Sequence, residues 1–233
     1  MKKRGILCLV LLLTTMSYGQ LAKIVDKDGY VNVRKSGQIG SPINGRLNTG
    51  EIVFLFEVDE SSPNWSIIET GIRNEISGYV HNSRLKMLDT YTQIPLVSSL
   101  NDELKYSGSN ITITISMGAF NYSKNKSKFS KHKGTNFIWA YNGQEMRGTD
   151  GTEPTKQYTS IKVKQKGVDI VVPTKAFENM FQPSDAEYTA CYYDKSDDTI
   201  YITANNSDGA GSYIVIWIFK GGKYIYNDVY IPF

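Results

Sequence analysis

Short alternations of apolar and polar residues, separated by turn residues, run along most of this chain. In the first third they occupy residues 30–34, 65–68 and 78–81, and Gly, Asn, Asp or Ser stands at their ends. A period of two places apolar side chains on one face of a strand, so each segment predicts a half-buried strand that a turn joins to the next. Residues 29–85 are therefore predicted to form a small β-barrel.

The same alternation assigns the interior of this predicted barrel. Val31 and Val33 are expected to point inward, with Asn32 and Arg34 pointing out. A domain of about 65 residues needs one compact interior of this kind. In the following strands the core positions are expected to be held by apolar residues, namely Ile43, Leu47, Ile52, Phe54, Ile68 and Val80.

The second half of the chain is also almost entirely strand-like. One short helix is predicted over residues 174–181, with Thr174 as N-cap and Pro183 after its end. The Gly221-Gly222 pair suits a two-residue hairpin, because both central residues of such a turn need positive φ. These features predict an antiparallel sheet or sandwich with one short helix packed on it. The strand segments are residues 111–115, 161–163, 168–170, 188–193, 199–203, 212–219 and 224–231.

Four motifs in the first third carry a family resemblance. In order and spacing they resemble the bacterial SH3-like domain, over residues 22 to 88. The resemblance implies a mainly β fold in which an N-terminal SH3-like β-barrel precedes the antiparallel β-rich region. The motifs are Val31-Asn32-Val33-Arg34, Gly50-Glu51, Trp65-Ser66-Ile67-Ile68, and Gly78-Tyr79-Val80-His81 followed by Leu85.

The resemblance also implies where a ligand would bind. In this family a loop after the first strand rims a groove, and here that loop is the turn-rich segment 36–42, which we expect to be mobile. Aromatic rings tend to lie near the groove, and the matching residues are Tyr30, Trp65 and Tyr79. Partial burial of these rings in the barrel is the alternative interpretation. Family members bind peptidoglycan, peptides or metals, or space catalytic domains, so the fold alone names no ligand.

The first 19 residues have the pattern of a secretory signal peptide. Three basic residues open the chain, the apolar run 6–13 follows, and Ser17-Tyr18-Gly19 forms a small-x-small cleavage site. The run is shorter than the roughly 20 residues of a membrane span, and an N-terminal anchor is the alternative interpretation. We expect cleavage after Gly19, no transmembrane segment in the remaining chain, and a periplasmic or secreted protein.

Loss of this segment changes the charge of the chain. The 233 residues include 26 basic and 23 acidic ones. Three basic residues and no acidic residue lie within positions 1–19, so the remaining chain carries 23 of each. A neutral exported chain has no global electrostatic attraction for nucleic acid, so nucleic acid is not expected as a partner.

The predicted elements divide the chain into four parts. They are a signal peptide at residues 1–19, the SH3-like barrel at 20–90, a linker at 91–106 and a β-rich domain of unrecognised family at 107–233. The linker is predicted because its segment shows no sustained period and adjoins a turn cluster. Residues 22–88 are expected to fold independently, because a complete set of strand signals lies within them.

Few residues suggest catalytic or metal chemistry. Cys191 is the one cysteine after residue 19 and lies in the middle of a predicted strand, which indicates a buried, inert thiol. His81 and His132 are the two histidines, and their separate predicted domains argue against a histidine-rich zinc site. The sequence therefore predicts no catalytic residue, no cofactor and no metal, and a protein that is not an enzyme.

A basic run lies between residues 124 and 133 and contains five lysines and His132. Such runs are commonly solvated loops, and this is one interpretation. The other is an anion-binding face formed by Lys126, Lys128 and Lys131, because the aromatic segment 136–143 follows directly.

Two classes of function follow from these observations. The first is an exported, non-catalytic binding protein of the cell envelope, whose barrel binds peptidoglycan fragments or peptides. In it, Tyr30, Trp65 and Tyr79 contact the ligand and the lysines attract a cell-wall polymer or an envelope protein. The second is an immunity-type or inhibitor protein that binds a toxin or an envelope hydrolase through the β-rich domain.

Overall fold

The computed structural model describes residues 20–231, so the predicted signal peptide lies outside the described residues. The protein is mainly β, and its paired strands run antiparallel. An N-terminal sheet has the order β3-β2-β6-β5-β4-β1-β7. Its strands are β1 (Gln20–Ile24), β2 (Tyr30–Arg34), β3 (Ile43–Asn48), β4 (Ile52–Val58), β5 (Trp65–Thr70), β6 (Ser77–His81) and β7 (Leu85–Met87).

The N-terminal sheet is rolled around one apolar interior. Leu47 comes from the edge strand β3, whereas Ala22 and Ile24 come from β1 near the other edge, yet all three belong to one buried cluster. A flat sheet cannot bring both of its ends into one cluster, so the sheet must curl. The other members of the cluster are Val31, Val33, Val53, Ile68 and Val80.

The predicted interior is correct for β2 and partly wrong for the next two strands. Val31 and Val33 point inward as expected. Ile43, expected in the core, is exposed. Ile52 and Phe54 are buried, but they pack on the opposite face of the sheet from Val53, against the C-terminal part of the chain.

The rest of the chain forms three further sheets. Two have five strands, in the orders β16-β15-β11-β10-β9 and β20-β19-β18-β17-β8, and one has three, β12-β13-β14. The strands are β8 (Thr92–Gln93), β9 (Leu96–Leu100), β10 (Glu103–Gly108), β11 (Ile111–Ala119), β12 (Phe129–Lys131), β13 (Ile138–Tyr141), β14 (Gln144–Glu145), β15 (Lys156–Gln165), β16 (Val168–Ile170), β17 (Thr189–Asp194), β18 (Thr199–Asn206), β19 (Tyr213–Lys220) and β20 (Lys223–Tyr230).

The two five-stranded sheets share one large apolar core. Ile113 on β11 and Val163 on β15 contribute from one sheet, and Cys191 on β17 and Trp217 on β19 contribute from the other. The Trp217 indole N–H donates to the carbonyl of Ala176 at 2.8 Å, so the polar atom of this buried ring is satisfied. The small sheet β12-β13-β14 packs on a separate aromatic cluster.

The segment predicted as a linker is built into these sheets. Residues 92–93 form β8, which pairs with β17, and residues 96–100 form β9, which pairs with β10. The predicted boundary of the β-rich region at residue 107 therefore falls inside β10. These strands are short, and β8 and β9 each lie at a sheet edge, which explains why no sustained hydrophobic period marks them.

Helical structure is scarce, and the helix predicted over residues 174–181 is wrong in extent. That segment contains a single 3₁₀ turn, Thr174–Ala176, which places the Ala176 carbonyl against Trp217. The α-helix of the described chain is α1 (Tyr122–Asn125). No helix within residues 20–231 is long and apolar enough to cross a bilayer. Further 3₁₀ turns are Asn82–Arg84, Leu88–Thr90, Lys126–Lys128, Ala186–Tyr188 and Gly209–Gly211.

The N-terminal sheet docks on the outer face of the sheet that contains β19. Ile52 and Phe54 pack against Ile216 and Tyr230 in one buried cluster, and the Tyr230 hydroxyl donates to the Ile52 carbonyl at 3.1 Å. Across the same contact, the buried ammonium group of Lys23 on β1 forms ion pairs with Asp194 and Asp197. Strand β19 is therefore covered on both faces, which accounts for its unbroken apolar run.

A candidate ligand-binding groove

A groove of about 390 Å³ opens on the N-terminal sheet. Its volume falls in the range of about 300–1,000 Å³ that is usual for small-ligand sites. Strands β2, β5 and β6 supply its floor, and the turns 26–28, 36–42 and 82–84 supply its walls. The lining residues are Asp26, Asp28, Tyr30, Val31, Asn32, Arg34, Ile39, Trp65, Val80, His81, Ser83 and Arg84.

Trp65 lies in this groove rather than in the apolar interior. Ile68 on β5 points into the interior, and an odd-numbered residue such as Trp65 therefore faces the other side of the strand. Trp65 is nevertheless only 9% exposed. The loop 36–42 approaches the base of this side chain, because a Cβ placed on Gly37 would lie 2.5 Å from the Ser62 Cβ and 3.1 Å from the Trp65 Cβ. Glycine at position 37 lets the loop approach the Cβ of Trp65 closely.

The loop 36–42 is held by hydrogen bonds at both of its ends. The Arg34 guanidinium donates to the Ser41 carbonyl at 2.8 Å, and the Ser36 amide donates to the Ser41 hydroxyl at 2.9 Å. Ile39 at the loop tip is 79% exposed and lines the groove. An apolar side chain held at this position offers a contact to the apolar part of a ligand.

The His81 ring lines the groove and is held in place by neighbouring residues. It pairs with Trp65 across β5 and β6, and the two rings meet edge to face with centroids 5.3 Å apart. The Nδ1 atom of His81 accepts a hydrogen bond from the Ser83 amide at 3.3 Å and lies 2.9 Å from the Ser83 hydroxyl. An amide N–H can only donate, so Nδ1 is the acceptor and the neutral ring carries its proton on Nε2. The imidazole is thus oriented with an N–H available to a ligand.

The walls of the groove carry both acidic and basic side chains. Asp26 forms an ion pair with the Arg84 guanidinium at 2.9 Å, and the Arg84 side chain remains 42% exposed. Asp28 is exposed and forms no ion pair with any residue in the described range 20–231. An accessible guanidinium and an accessible carboxylate together suit a ligand that carries both an ammonium and a carboxylate group.

The structure brings two of the three predicted aromatic residues into the groove. Tyr30 is 39% exposed at its rim, with the Arg46 guanidinium 4.2 Å from the ring centroid. Trp65 lines the groove, with its Cβ beside the loop 36–42. Tyr79 does not belong to the lining: it pairs with Arg34 on β2 and Ile67 on β5 and is half-buried.

The predicted lysines lie elsewhere in the molecule. Lys126 and Lys128 belong to the 3₁₀ turn after α1, and Lys131 lies at the end of β12, so all three are carried by the small sheet and its flank. The Lys128 ammonium donates to the Tyr141 hydroxyl at 3.3 Å. The lysines and the groove are therefore separate surfaces.

Cys191 is buried and unpaired, as predicted. Burial raises the pKa of its thiol, which disfavours the reactive thiolate. His81 lies in β6 of the N-terminal sheet, whereas His132 directly follows β12 of the small sheet. Within residues 20–231, no group of three or more His, Cys, Asp or Glu side chains is placed to hold a metal ion.

No protein-family model, no curated protein and no solved structure matches this chain. The groove therefore has to be interpreted from its own chemistry. Sequence reasoning missed His81, Ser83 and Arg84 as wall residues. The available signal was the position of His81 opposite Trp65, which appears only once the register of β5 and β6 is known.

Proposed function

We propose that this chain is an exported, non-catalytic binding protein of the cell envelope. Its N-terminal part is an SH3-like barrel whose groove binds a short peptide, such as the peptide portion of peptidoglycan. The observation that carries the proposal is the Trp65 ring, which lies outside the apolar interior, lines the groove with Ile39 of the loop 36–42 and meets His81 edge to face.

The chemistry of the groove supports a peptide ligand. Peptidoglycan peptides carry free amino and carboxyl groups, which match the carboxylate of Asp28 and the guanidinium of Arg84. The Nε2–H of His81 suits a peptide carbonyl, and Ile39 and Trp65 suit its apolar side chains. A volume of about 390 Å³ accommodates a few residues, so a short segment fits better than a folded surface.

Export is supported by the signal-peptide pattern of residues 1–19. The described chain contains one cysteine, and it is buried in the core rather than placed at a surface. Folding in an oxidising compartment therefore requires no disulfide and exposes no thiol there.

The proposal is tested by binding of a soluble muropeptide to the purified protein, measured by titration calorimetry. Tyr30→Ala removes an exposed groove aromatic and is expected to weaken binding about tenfold. Tyr79→Ala is the matched control, because it removes the same ring from the same sheet outside the groove, and it is expected to change the Kd less than about twofold. Circular dichroism verifies that both variants are folded.

Gly37→Ala gives a second test that leaves every lining side chain in place. Its Cβ would overlap Ser62, so the loop must shift away from Trp65, and binding should weaken. The proposal is wrong if the muropeptide binds and neither Tyr30→Ala nor Gly37→Ala affects it, or if Tyr79→Ala has the larger effect. Absence of any muropeptide binding would likewise contradict it.

A further inference from the structure

Three rings form an exposed platform on the small sheet β12-β13-β14. Phe137 and Trp139 are 43% and 38% exposed, which is high for large aromatic side chains. Phe137 directly precedes β13 and Trp139 lies within it, and both flank the buried Ile138, so their side chains point away from the side that Ile138 occupies. His132 directly follows β12 and joins them, because its amide donates to the Phe137 carbonyl at 3.0 Å. We refer to Phe137, His132 and Trp139 as the aromatic platform.

The rings of the platform lie nearly parallel and offset. The His132 centroid is 5.4 Å from that of Phe137 and 5.8 Å from that of Trp139, with interplanar angles of 27° and 17°. Parallel rings in full face-to-face contact would lie closer than this, so each ring covers only part of its neighbour. Part of each ring face is therefore left uncovered.

The platform rests on a rigid base. Ile138 and Tyr141 of β13 pack with Phe120 and Phe181 in a buried cluster. Phe137 itself lies against the backbone of Gly151, where an added Cβ would fall 2.2 Å from the ring. The outer rings are therefore exposed although their strand is firmly packed.

Five exposed lysines lie between residues 124 and 133, close to this platform in sequence, and are carried by the small sheet and the turns next to it. No carboxylate within residues 20–231 lies within ion-pairing distance of any of them. One of the five, Lys128, contacts the Tyr141 hydroxyl, and the ammonium groups of the others make no hydrogen bond in the described chain. The lysines are Lys124, Lys126, Lys128, Lys131 and Lys133.

We propose that the aromatic platform and its lysines bind an anionic polysaccharide. The apolar face of a sugar ring fits an offset aromatic surface, and unpaired ammonium groups match carboxylates or phosphates repeated along a polymer. Buried centres of protein interfaces are depleted in lysine, so this mixture of aromatic rings and free lysines favours a polymer over a folded acidic protein. The site is separate from the groove and does not depend on the peptide proposal.

Three soluble probes separate the contributions of ring stacking and charge. Polygalacturonate has sugar rings and carboxylates, dextran has rings without charge, and polyglutamate has carboxylates without rings. The protein is expected to bind polygalacturonate at least about tenfold more tightly than either other probe. Raising the ionic strength from about 0.05 M to about 0.5 M should weaken that binding, because salt screens the attraction between the lysine ammonium groups and the carboxylates of the polymer.

Double variants test whether the polysaccharide binds to the aromatic platform and its lysines. Phe137→Ala combined with Trp139→Ala, and separately Lys131→Ala combined with Lys133→Ala, should each weaken polygalacturonate binding about tenfold or more. The matched control is Lys105→Ala combined with Lys162→Ala, which removes the same charge from exposed positions on β10 and β15 of another sheet. That control, and Tyr30→Ala in the groove, should change the affinity less than about twofold.

Several results would overturn the inference. Equal binding of polyglutamate and polygalacturonate would indicate an acidic polypeptide partner instead. If the Lys131/Lys133 and Lys105/Lys162 double variants lose the same affinity for polygalacturonate, the attraction is a non-specific effect of charge. Loss in Tyr30→Ala would place the polysaccharide in the groove, and no binding of polygalacturonate would exclude the site.

Discussion

Replacing Lys23 by alanine is expected to destabilise the whole protein, because this residue joins the N-terminal sheet to the sheet that contains β17. Its ammonium donates to Asp197 at 2.7 Å and to Asp194 at 3.1 Å. The side chains of Lys23 and Asp194 are only 9% and 5% exposed. Removing the lysine therefore leaves a buried carboxylate without its counter-charge.

The size of the effect follows from what remains after the substitution. Loss of one partner from a buried ion pair typically costs about 3–5 kcal/mol. Asp194 keeps the amide and hydroxyl of Ser196, and Asp197 keeps Lys220, so we place the cost at the lower end, about 3 kcal/mol. Urea unfolding followed by circular dichroism measures this change in the free energy of unfolding.

Lys220→Ala is the matched control. Lys220 contacts the same Asp197 carboxylate at 3.3 Å, but its side chain is 55% exposed. An exposed pair of this kind contributes less than about 1 kcal/mol. If the two variants lose the same stability, Lys23 does not join the sheets through a buried ion pair and the reasoning is wrong.

Three further predictions concern conformation, the buried thiol and pH. Gly78→Ala should cost about 3 kcal/mol in urea unfolding, because Gly78 has φ +144° and an added Cβ would lie 2.5 Å from the Arg34 carbonyl oxygen; equal stability to wild type would refute this. Cys191→Ser should cost about 1–3 kcal/mol in the apolar core, whereas rapid labelling of the native thiol by a bulky reagent would mean that it is exposed. Burial alone would raise the pKa of Asp194, but hydrogen bonds from Ser196 and Lys23 lower it to about 2 from an ordinary 3.8. Its stabilising contribution is therefore present above about pH 4 and lost as the pH falls towards 2, and unfolding measured across this range should show a smaller acid loss in Lys23→Ala than in wild type.

The alternation of β2 could be predicted from the sequence, and that of β4 could not. Val31 and Val33 alternate with polar residues, so their inward direction is evident. Residues 52–56 are apolar without interruption, because Val53 faces the interior while Ile52 and Phe54 face the other sheet. A strand buried on both faces carries no period from which its direction can be assigned.

The contact of Ile52 and Phe54 with the sheet that contains β19 argues against the expectation that residues 22–88 fold independently. An isolated N-terminal sheet would expose Ile52 and Phe54, and the partner sheet would expose Ile216 and Tyr230. Such apolar faces favour unfolding of both parts in a single transition. A signal for this contact exists in the sequence, since residues 213–219 of β19 are all apolar, but it does not identify which segment covers them.

The candidate site could be predicted only in part. The family resemblance indicated Tyr30 and Trp65, which line the groove, but also Tyr79, which does not. The positions of the wall residues in the groove depend on the register of β6 and on the turn that follows this strand. Neither the register nor the turn can be recognised as a pattern in a single sequence. More of the aromatic platform could be predicted, because the lysine run and the aromatic segment 136–143 are adjacent in the chain. Only the structure shows which of the aromatic rings are exposed.

The most direct test of the central claim is a nuclear magnetic resonance titration of the ¹⁵N-labelled protein with a soluble muropeptide. If the groove binds the peptide, shift changes should be largest at the Trp65 indole N–H, at His81 and Ser83, and in the loop 36–42. Residues of the aromatic platform should not shift. Saturable changes confined to other surfaces, or no change at the Trp65 indole at saturating ligand, would contradict the account.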